Sequence, residues 1–406
     1  MEIFIVLLIL ICPYLSLLAS LLGYIFQPTR EKLWLFLLVS FVFASAYCIN
    51  TTYESDVDRY YAILENCKYF SLSEVIAYMD DGLYLENFLF WFYSHLGVYQ
   101  LMPAVSASIV FGIGAYIAGD SVKRTNNYNI LWLIILFQLL TMPIFNIANN
   151  VRNILAFSLI MLGAYRDLVD KNRGVLTILL YILPCFLHGT GIILASLRLM
   201  VPFVSRFPFV CVFFVGVISQ LIGYAYTQII FFGSGDGVVS TIIRKLIAKS
   251  YSYMLGTNEF SKIMVNSRFD LLNRPITFFM AVIIAFFSYR LIKNNSEYKD
   301  IATYCLLLCI IVLSCGIFTT PAFWRFAVAM TIMFSPVICA TKKNFTGMST
   351  LENVLCFGLC IATFSKFAIT IPYLWSRTDM MQHFVDTAIT NIYYISLHVM
   401  SAAAGL

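Results

Sequence analysis

The sequence predicts an all-α polytopic membrane protein, and three observations support that class. The chain has 406 residues, 61% of them hydrophobic and 12% charged, with a mean hydropathy of +0.85. A soluble domain of this length buries far less apolar side chain. The apolar residues also fall into runs of about 20, the length at which a helix crosses a hydrocarbon core. The net charge of +5 is spread over short loops, so nucleic acid is not an expected partner.

The apolar runs predict about 11 or 12 transmembrane helices, and without repeats or linkers they form one membrane domain, residues 1–406. The segments are residues 3–26, 33–49, 99–119, 130–148, 153–165, 175–200, 207–232, 275–291, 301–318, 322–340 and 351–374, with a further one near the C-terminus. The first run is too long for a signal-peptide core, so we expect it to be retained. The segment 153–165 is short for a straight span.

Basic residues set the orientation of these spans. They occur in alternate short loops: Arg30 and Lys32, then Lys123 and Arg124, then Arg166, Lys171 and Arg173. Such loops are typically cytoplasmic. Residues 50–88 therefore form a first outer loop, rich in Asp and Glu, and residues 233–274 form a second. Apolar residues at helical spacing within the second loop predict an amphipathic helix on the membrane surface.

The second half of the chain follows the same rule only if the chain turns back near His188. If residues 175–200 crossed the membrane once, five later cations would lie outside: Arg290, Lys293, Lys299, Lys342 and Lys343. A break at His188-Gly189-Thr190-Gly191 returns them to the cytoplasmic side. Unwound backbone is tolerated at membrane depth where it lines a cavity. We therefore predict a broken helix near His188, which also places Arg325 on the outer face.

Four cationic or titratable residues then share the outer face, each near the end of an apolar run: Arg59, Arg152, His188 and Arg325. A charge at this position is unfavourable unless it meets a partner. The planar guanidinium makes bidentate contacts to phosphate oxygens. Each arginine alone is explained as well by snorkelling to lipid headgroups, and so is Lys366 in the last long span. The convergence of four residues favours an anionic group such as a lipid-linked pyrophosphate.

The first outer loop carries two carboxylates with competing interpretations. Asp56-Val57-Asp58 is a DxD sequence, and paired carboxylates suit magnesium or manganese. The motif is common by chance, and Asp58 beside Arg59 more simply predicts a local ion pair. We therefore predict no metal site and no cofactor. His188 is either a proton acceptor or, as is more frequent in a helix break, a structural hydrogen-bonding residue.

A polar stripe marks the last segment of the chain. Its residues recur at helical spacing: His383, Thr387, Thr390, Asn391, Tyr394 and His398. A terminal helix at the membrane interface explains the stripe, and the polar lining of a cavity is the alternative.

Four sequence motifs occur in order along the chain: DRYY, NNVRNILAFSLIMLGAY, FLHGTGIIL and FWRFAVAM. Together they resemble the EpsG-type branch of the bacterial O-antigen and exopolysaccharide polymerases, the Wzy group. The resemblance covers most of the chain. It implies a GT-C-like protein of the inner membrane whose active site faces the periplasm.

The resemblance also implies a reaction and its partners. The glycan on undecaprenyl pyrophosphate would be transferred to the non-reducing end of another lipid-linked repeat unit, without a nucleotide sugar. Arg152 and Arg325, with Arg59, match the family's outer-face residues and would bind the pyrophosphate or glycan, while His188 and Asp58 are the candidate catalytic residues. The expected partners are undecaprenyl-pyrophosphate-linked oligosaccharides, the lipid bilayer and a chain-length regulator.

Two other classes remain as alternatives. A lipid-linked oligosaccharide flippase would have a similar number of spans, but it typically carries charges deep within a central channel. Another GT-C glycosyltransferase or ligase would use Asp56 and Asp58 to bind a metal ion.

Overall fold

The computed structural model describes residues 12–49, 55–79, 82–207, 268–318, 320–344, 349–375, 379–390 and 392–403. Within these ranges all regular secondary structure is helical, which confirms the predicted all-α class. Four helical segments are long and apolar enough to cross a membrane: Leu101–Thr125, Leu271–Lys293, Phe323–Thr341 and Thr350–Trp375. Shorter apolar helices accompany them.

The chain begins with a pair of helices joined by a tight turn, α1 (Pro13–Phe26) and α2 (Glu31–Tyr47). Pro13 suits the first position of α1, where its missing N–H has no helical partner. The Trp34 ring packs directly on Gly23, where a Cβ atom would lie 2.1 Å from Trp34 Cδ2. The indole Nε1 donates to the carbonyl of Gln27 at 2.8 Å. The glycine therefore permits the close approach of the two helices.

The predicted first outer loop is itself helical. It contains α3 (Asp56–Cys67), α4 (Leu72–Met79) and the start of α5 (Tyr84–Leu96), so its end at residue 88 falls inside a helix. Amphipathic spacing lets these helices bury a small core of their own. That core includes Tyr60, Leu64, Val75, Phe90 and Val151.

The central helices are α6 (Leu101–Thr125), α7 (Leu131–Thr141), α8 (Ile144–Asn149) and α9 (Val151–Leu168). The predicted span 130–148 is wrong as one helix, because the chain breaks before Pro143. Proline has no backbone N–H and restricts the residue before it, so α7 ends at Thr141. The buried amide of Gln138 joins three helices by donating to the Gly114 carbonyl at 3.1 Å and to Ser335 Oγ at 3.0 Å.

The predicted break near His188 is confirmed. Helix α10 (Val175–Ile182) continues as a 3-10 turn (Leu183–Phe186), and α11 (Gly191–Arg206) begins after Thr190. Arg173 precedes α10 and Arg198 lies within α11, yet both guanidiniums pair with the buried carboxylate of Asp167, at the end of α9. The two arms of the break therefore return to the same end of α9, as a hairpin.

Four long helices follow: α12 (Arg268–Lys293), α13 (Lys299–Phe318), α14 (Thr320–Asn344) and α15 (Thr350–Trp375). Helix α12 begins seven residues before the predicted span 275–291, inside the predicted loop 233–274. The amphipathic helix predicted within that loop lies outside the described residues. Helices α12, α13 and α14 pack with α6 and α9 around the main core, which includes the stacked rings of Phe157 and Phe326, 5.1 Å apart.

Ion pairs at and between the helix ends mark one end of the bundle, which we call the basic end. They join Arg124 to Asp120 and Asp170, Lys171 to Asp300, and Arg290 to Glu352. Helix α13 starts there and α14 returns to it, so Arg325, near the start of α14, lies at the opposite end. We call that opposite end the site end.

The polar stripe of the C-terminal segment faces protein. The segment forms two helices, α16 (Met380–Ile389) and α17 (Ile392–Ala403). His383 Nε2 lies 3.4 Å from Ser45 Oγ, and His398 Nδ1 bonds the hydroxyl of Tyr47, so both histidines meet the end of α2. Thr387 is fully buried, whereas Phe384 and Ile389 are exposed. Helix α16 presents its polar face to α2 and its apolar face outward, whereas in α17 Ile395 is buried and Tyr394 of the stripe is 56% exposed.

The two arginines that pair with Asp167 differ in burial. We expect Arg198→Ala to lower the thermal unfolding midpoint of the purified protein much more than Arg173→Ala. Arg198 is 19% exposed, whereas Arg173 is 70% exposed, and exposed ion pairs contribute about 0–1 kcal/mol. Breaking a buried pair typically costs about 3–5 kcal/mol. Equal midpoints for the two variants would argue against the hairpin contact.

Candidate functional site

Residues from five helices converge at the site end. Arg152 and Arg325 stand near the starts of α9 and α14, and Arg59 lies in the first turns of α3. We call the group the arginine cluster, and it comprises Arg59, Arg152, Arg325, Asp56, Tyr60, Glu86, Asn149 and Asn150. The structure thus brings together the three arginines that the sequence singles out.

Arg152 is held on three sides. Its Nη1 pairs with Glu86 of α5, and its Nε donates to the hydroxyl of Tyr60 at 3.2 Å. The guanidinium also lies 5.0 Å from the centre of the Tyr60 ring, within cation–π range. The side chain of Glu86 is only 3% exposed. A buried carboxylate is stable there because the guanidinium supplies the opposite charge.

Arg325 reaches across to the loop helices. Its Nε donates to Asn150 Oδ1 at 2.9 Å, and its Nη2 lies 3.6 Å from Asp56 Oδ2. The other oxygen of Asp56 pairs with Arg59. One carboxylate thereby bridges two arginines that are far apart in sequence.

The start of α3 is fixed by a capping box. Asp58 N–H donates to Ser55 Oγ at 3.2 Å, while Ser55 N–H donates to Asp58 Oδ2 at 2.9 Å. Asn149 Oδ1 accepts from the backbone N–H of Val57 at 3.4 Å. The predicted pairing of Arg59 with Asp58 is therefore wrong, because Asp56 takes that role and Asp58 caps the helix.

Burial raises the pKa of the Tyr60 hydroxyl above its ordinary value, although the charges of Arg152 and Arg325 oppose the shift. The phenol stays protonated at neutral pH. Since its oxygen accepts from Arg152, its own proton is available for donation.

His188 lies on the neighbouring broken helix. Its Nδ1 accepts from the Thr190 N–H at 3.3 Å and lies 2.6 Å from Thr190 Oγ1. In the neutral ring the proton is therefore on Nε2, an assignment that follows from the hydrogen bonds. The ring of Phe186, two residues earlier, lies 6.3 Å from Tyr84, which is two residues before Glu86. These contacts connect the break with α5, the helix whose Glu86 pairs with Arg152.

The model of a known protein family matches most of the chain. The EpsG family model matches residues 33–380. The chain belongs to the EpsG family. The match covers all three arginines and His188, confirms the resemblance carried by the four motifs, and indicates a polysaccharide polymerase-like function. No curated protein and no solved structure matches the chain.

Some members of the arginine cluster escape reasoning from sequence. Glu86 is one of many acidic residues in the first outer loop, and nothing in its neighbours distinguishes it. Its role appears only when α5 packs beside α9. The paired asparagines of NNVRN were missed as well. Asn150 accepts from Arg325, and Asn149 accepts from the backbone of α3, so both act on residues that are distant in sequence.

The described part of the chain contains no group of three His, Cys, Asp or Glu residues that could hold a metal ion. Asp56 of the DxD sequence is instead engaged with Arg59 and Arg325. Three guanidiniums share two carboxylates in these ion pairs, and Arg59 is 64% exposed. The arrangement is suited to an anion that approaches from the solvent side.

We expect Glu86→Gln to destabilise the protein by about 3 kcal/mol or more, because it leaves Arg152 buried without its carboxylate. Arg152→Gln combined with Glu86→Gln should recover part of that loss, as the coupling of a contacting pair requires. Thermal unfolding of the purified variants measures both effects. Glu65→Gln is the matched control, since Glu65 is exposed and bonds Tyr99. Strictly additive losses in the double variant would contradict a direct pair.

Proposed function

We propose that this EpsG-family protein polymerises lipid-linked polysaccharide repeat units. The glycan on undecaprenyl pyrophosphate would be transferred to the non-reducing end of another lipid-linked repeat unit. The observation that carries the proposal is the convergence of Arg59, Arg152 and Arg325 around two carboxylates at one end of the bundle. The product is an O-antigen or a related surface polysaccharide.

In this reaction the acceptor hydroxyl oxygen attacks the anomeric carbon of the donor sugar. The bond from that carbon to the pyrophosphate oxygen breaks, and the electron pair leaves with the undecaprenyl pyrophosphate. Negative charge therefore grows on the departing group as an oxocarbenium-like sugar forms. Arg152 and Arg325 would stabilise this charge. Arg152 is the second residue of α9, so backbone N–H groups at that helix start add to the attraction.

A ligand can replace the carboxylate of Asp56 as the partner of Arg325 and Arg59. Asp56 holds both arginines, and its contact to Arg325, at 3.6 Å, is long for a charge-assisted hydrogen bond. A pyrophosphate offers more oxygens in suitable positions than one carboxylate does. We propose that it displaces Asp56 from Arg325, while Glu86 continues to position Arg152.

The acceptor hydroxyl must lose a proton during transfer. We propose that Asp58 accepts it, since the carboxylate lies two residues from Asp56 at the start of α3. His188 would serve instead as a hydrogen-bond donor to the substrate through Nε2–H, because Nδ1 is already an acceptor for the Thr190 N–H. Both roles differ from that of the arginines, which act on the leaving group.

We further propose that the basic end faces the cytoplasm of an inner membrane and the site end faces the periplasm. The ion-paired cations of the basic end support this orientation, since cytoplasmic loops carry an excess of Lys and Arg. Lipid-linked repeat units would then reach the site from the periplasmic leaflet. A chain-length regulator is a candidate partner there.

We expect Arg152→Gln and Arg325→Gln each to abolish long chains while single repeat units remain lipid-linked. Loss of one preorganised donor to developing charge typically lowers a rate about 100- to 1000-fold. Gel analysis of surface glycans in a polymerase-deficient strain expressing each variant provides the measurement. Arg173→Gln, at the basic end, is the matched control and should give a normal ladder.

Normal ladders from both site variants would refute the role of the arginines. A flippase would give a different result, because its loss would keep repeat units on the cytoplasmic leaflet. Periplasmic accessibility of the accumulated units therefore separates the two functions.

We expect polymerisation by the purified protein to continue after exhaustive chelation with EDTA. Asp56 lies between two guanidiniums, and their positive charges disfavour a divalent cation at that carboxylate. The measurement compares the rate before chelation, after chelation and after magnesium is restored. Loss of activity that magnesium restores would instead support a metal-dependent GT-C glycosyltransferase with Asp56 and Asp58 as ligands.

A further inference from the structure

Lys366 of α15 points into the protein. The expectation from sequence that this lysine snorkels to the lipid surface is wrong, since the residue is only 7% exposed. The outward face of α15 is apolar and includes Phe357, Ile361 and Phe364, each more than half exposed. The lysine belongs to the opposite, buried face, with Thr363 and Thr370 one turn before and after it.

Lys366 is a cation without an anion among the described residues. No hydrogen bond or ion pair of its ammonium group is found there, in contrast to Arg152 and Arg325. Thr363 and Thr370 direct their hydroxyl protons to the carbonyls of Leu359 and Lys366 in their own helix, and neither carries charge. An inward-facing ionisable residue in a membrane span usually marks a binding site or transport path.

The position of Lys366 can be derived from the packing of α15 against α12. These helices are antiparallel, with Arg290 paired to Glu352 at the basic end. Farther along, a Cβ on Gly358 would lie 3.2 Å from Phe279 and 3.8 Å from Ile283. Eight residues beyond Gly358, Lys366 is therefore about level with Asn273. This level is close to the start of α12, on the site-end side of the membrane.

The surroundings at this level favour an anion. Asn273 and Thr277 of α12 are both buried. The side-chain oxygen Oδ1 of Asn273 accepts from the Thr277 hydroxyl, which leaves the side-chain N–H groups of Asn273 as donors. Helix α7, which also packs on α15, has no charged residue. The acidic residue of α12 nearest this level is Asp270, whose side chain lies outside the described residues.

A polymerase of lipid-linked repeat units needs two anion sites on one face of the membrane. The donor pyrophosphate lies at the reacting carbon. The acceptor carries its own pyrophosphate one repeat unit away from the hydroxyl that attacks. We propose that Lys366 is the second site and binds the pyrophosphate of the acceptor lipid, while the arginine cluster binds that of the donor. This inference rests on the proposed function.

The test counts bound lipid rather than product. The purified protein is placed in phosphatidylcholine nanodiscs, and bound undecaprenyl pyrophosphate is counted by native mass spectrometry. We expect two molecules on the wild type, one on Lys366→Met, one on Arg152→Gln/Arg325→Gln, and none when all three changes are combined. Lys366→Arg keeps the charge and should keep two.

Folding is controlled through stability. Lys366→Met should unfold at the same or a higher temperature than the wild type. Methionine has a volume similar to that of lysine, and the change removes an uncompensated buried charge. A lower midpoint would indicate that Lys366 is a structural partner and would overturn the proposal. Asp270→Asn tests the remaining structural explanation, in which Lys366 acts by pairing with Asp270. We expect this variant to keep two lipids bound. Loss of one lipid in Asp270→Asn would overturn the assignment to Lys366 acting on the ligand.

Three further results discriminate among outcomes. Two lipids on Lys366→Met would refute the second site. Displacement of the Lys366-dependent molecule by an equal fraction of phosphatidylglycerol would assign the site to phospholipid headgroups and also refute it. Two lipids on Arg152→Gln/Arg325→Gln, with one on Lys366→Met, would instead contradict the arginine cluster while the second site stands.

Discussion

The turn of the chain at His188 is the constraint on which the site depends. Asp167 stabilises the turn by holding an arginine from each arm at the end of α9. The start of the same helix carries Arg152, and Phe186 of the break lies 6.3 Å from Tyr84 of α5. The turn and the arginine cluster are therefore connected through both α9 and α5.

Much of this organisation could be predicted because it follows from periodicity and charge. Alternating basic loops give the side of each helix end, and the glycines beside His188 indicate the break. The partners of each arginine could not be predicted in the same way. Asp58 is adjacent to Arg59, but a residue at the third position of a helix reaches back to the cap, while Asp56 lies on the same face as Arg59.

Other details depend on packing that neighbouring residues do not encode. Glu86 becomes special only because α5 lies against the start of α9. Lys366 faces inward on the buried side of α15, with Thr363 and Thr370 one turn away. Pro143 is the exception. Its effect on the span 130–148 follows from the missing N–H, and a length-based assignment overlooked it.

Under the proposed function, the arginine cluster must remain stable when no pyrophosphate is bound. Three clustered guanidiniums repel one another in a low-dielectric setting, so carboxylates that neutralise them stabilise the folded protein. The same carboxylates compete with the substrate and weaken its binding. That competition is useful to a polymerase, because the leaving pyrophosphate must depart before the next chain arrives. Asp56, which is shared between two arginines, is well placed to return and displace it, whereas the more buried Glu86 keeps Arg152 in position throughout.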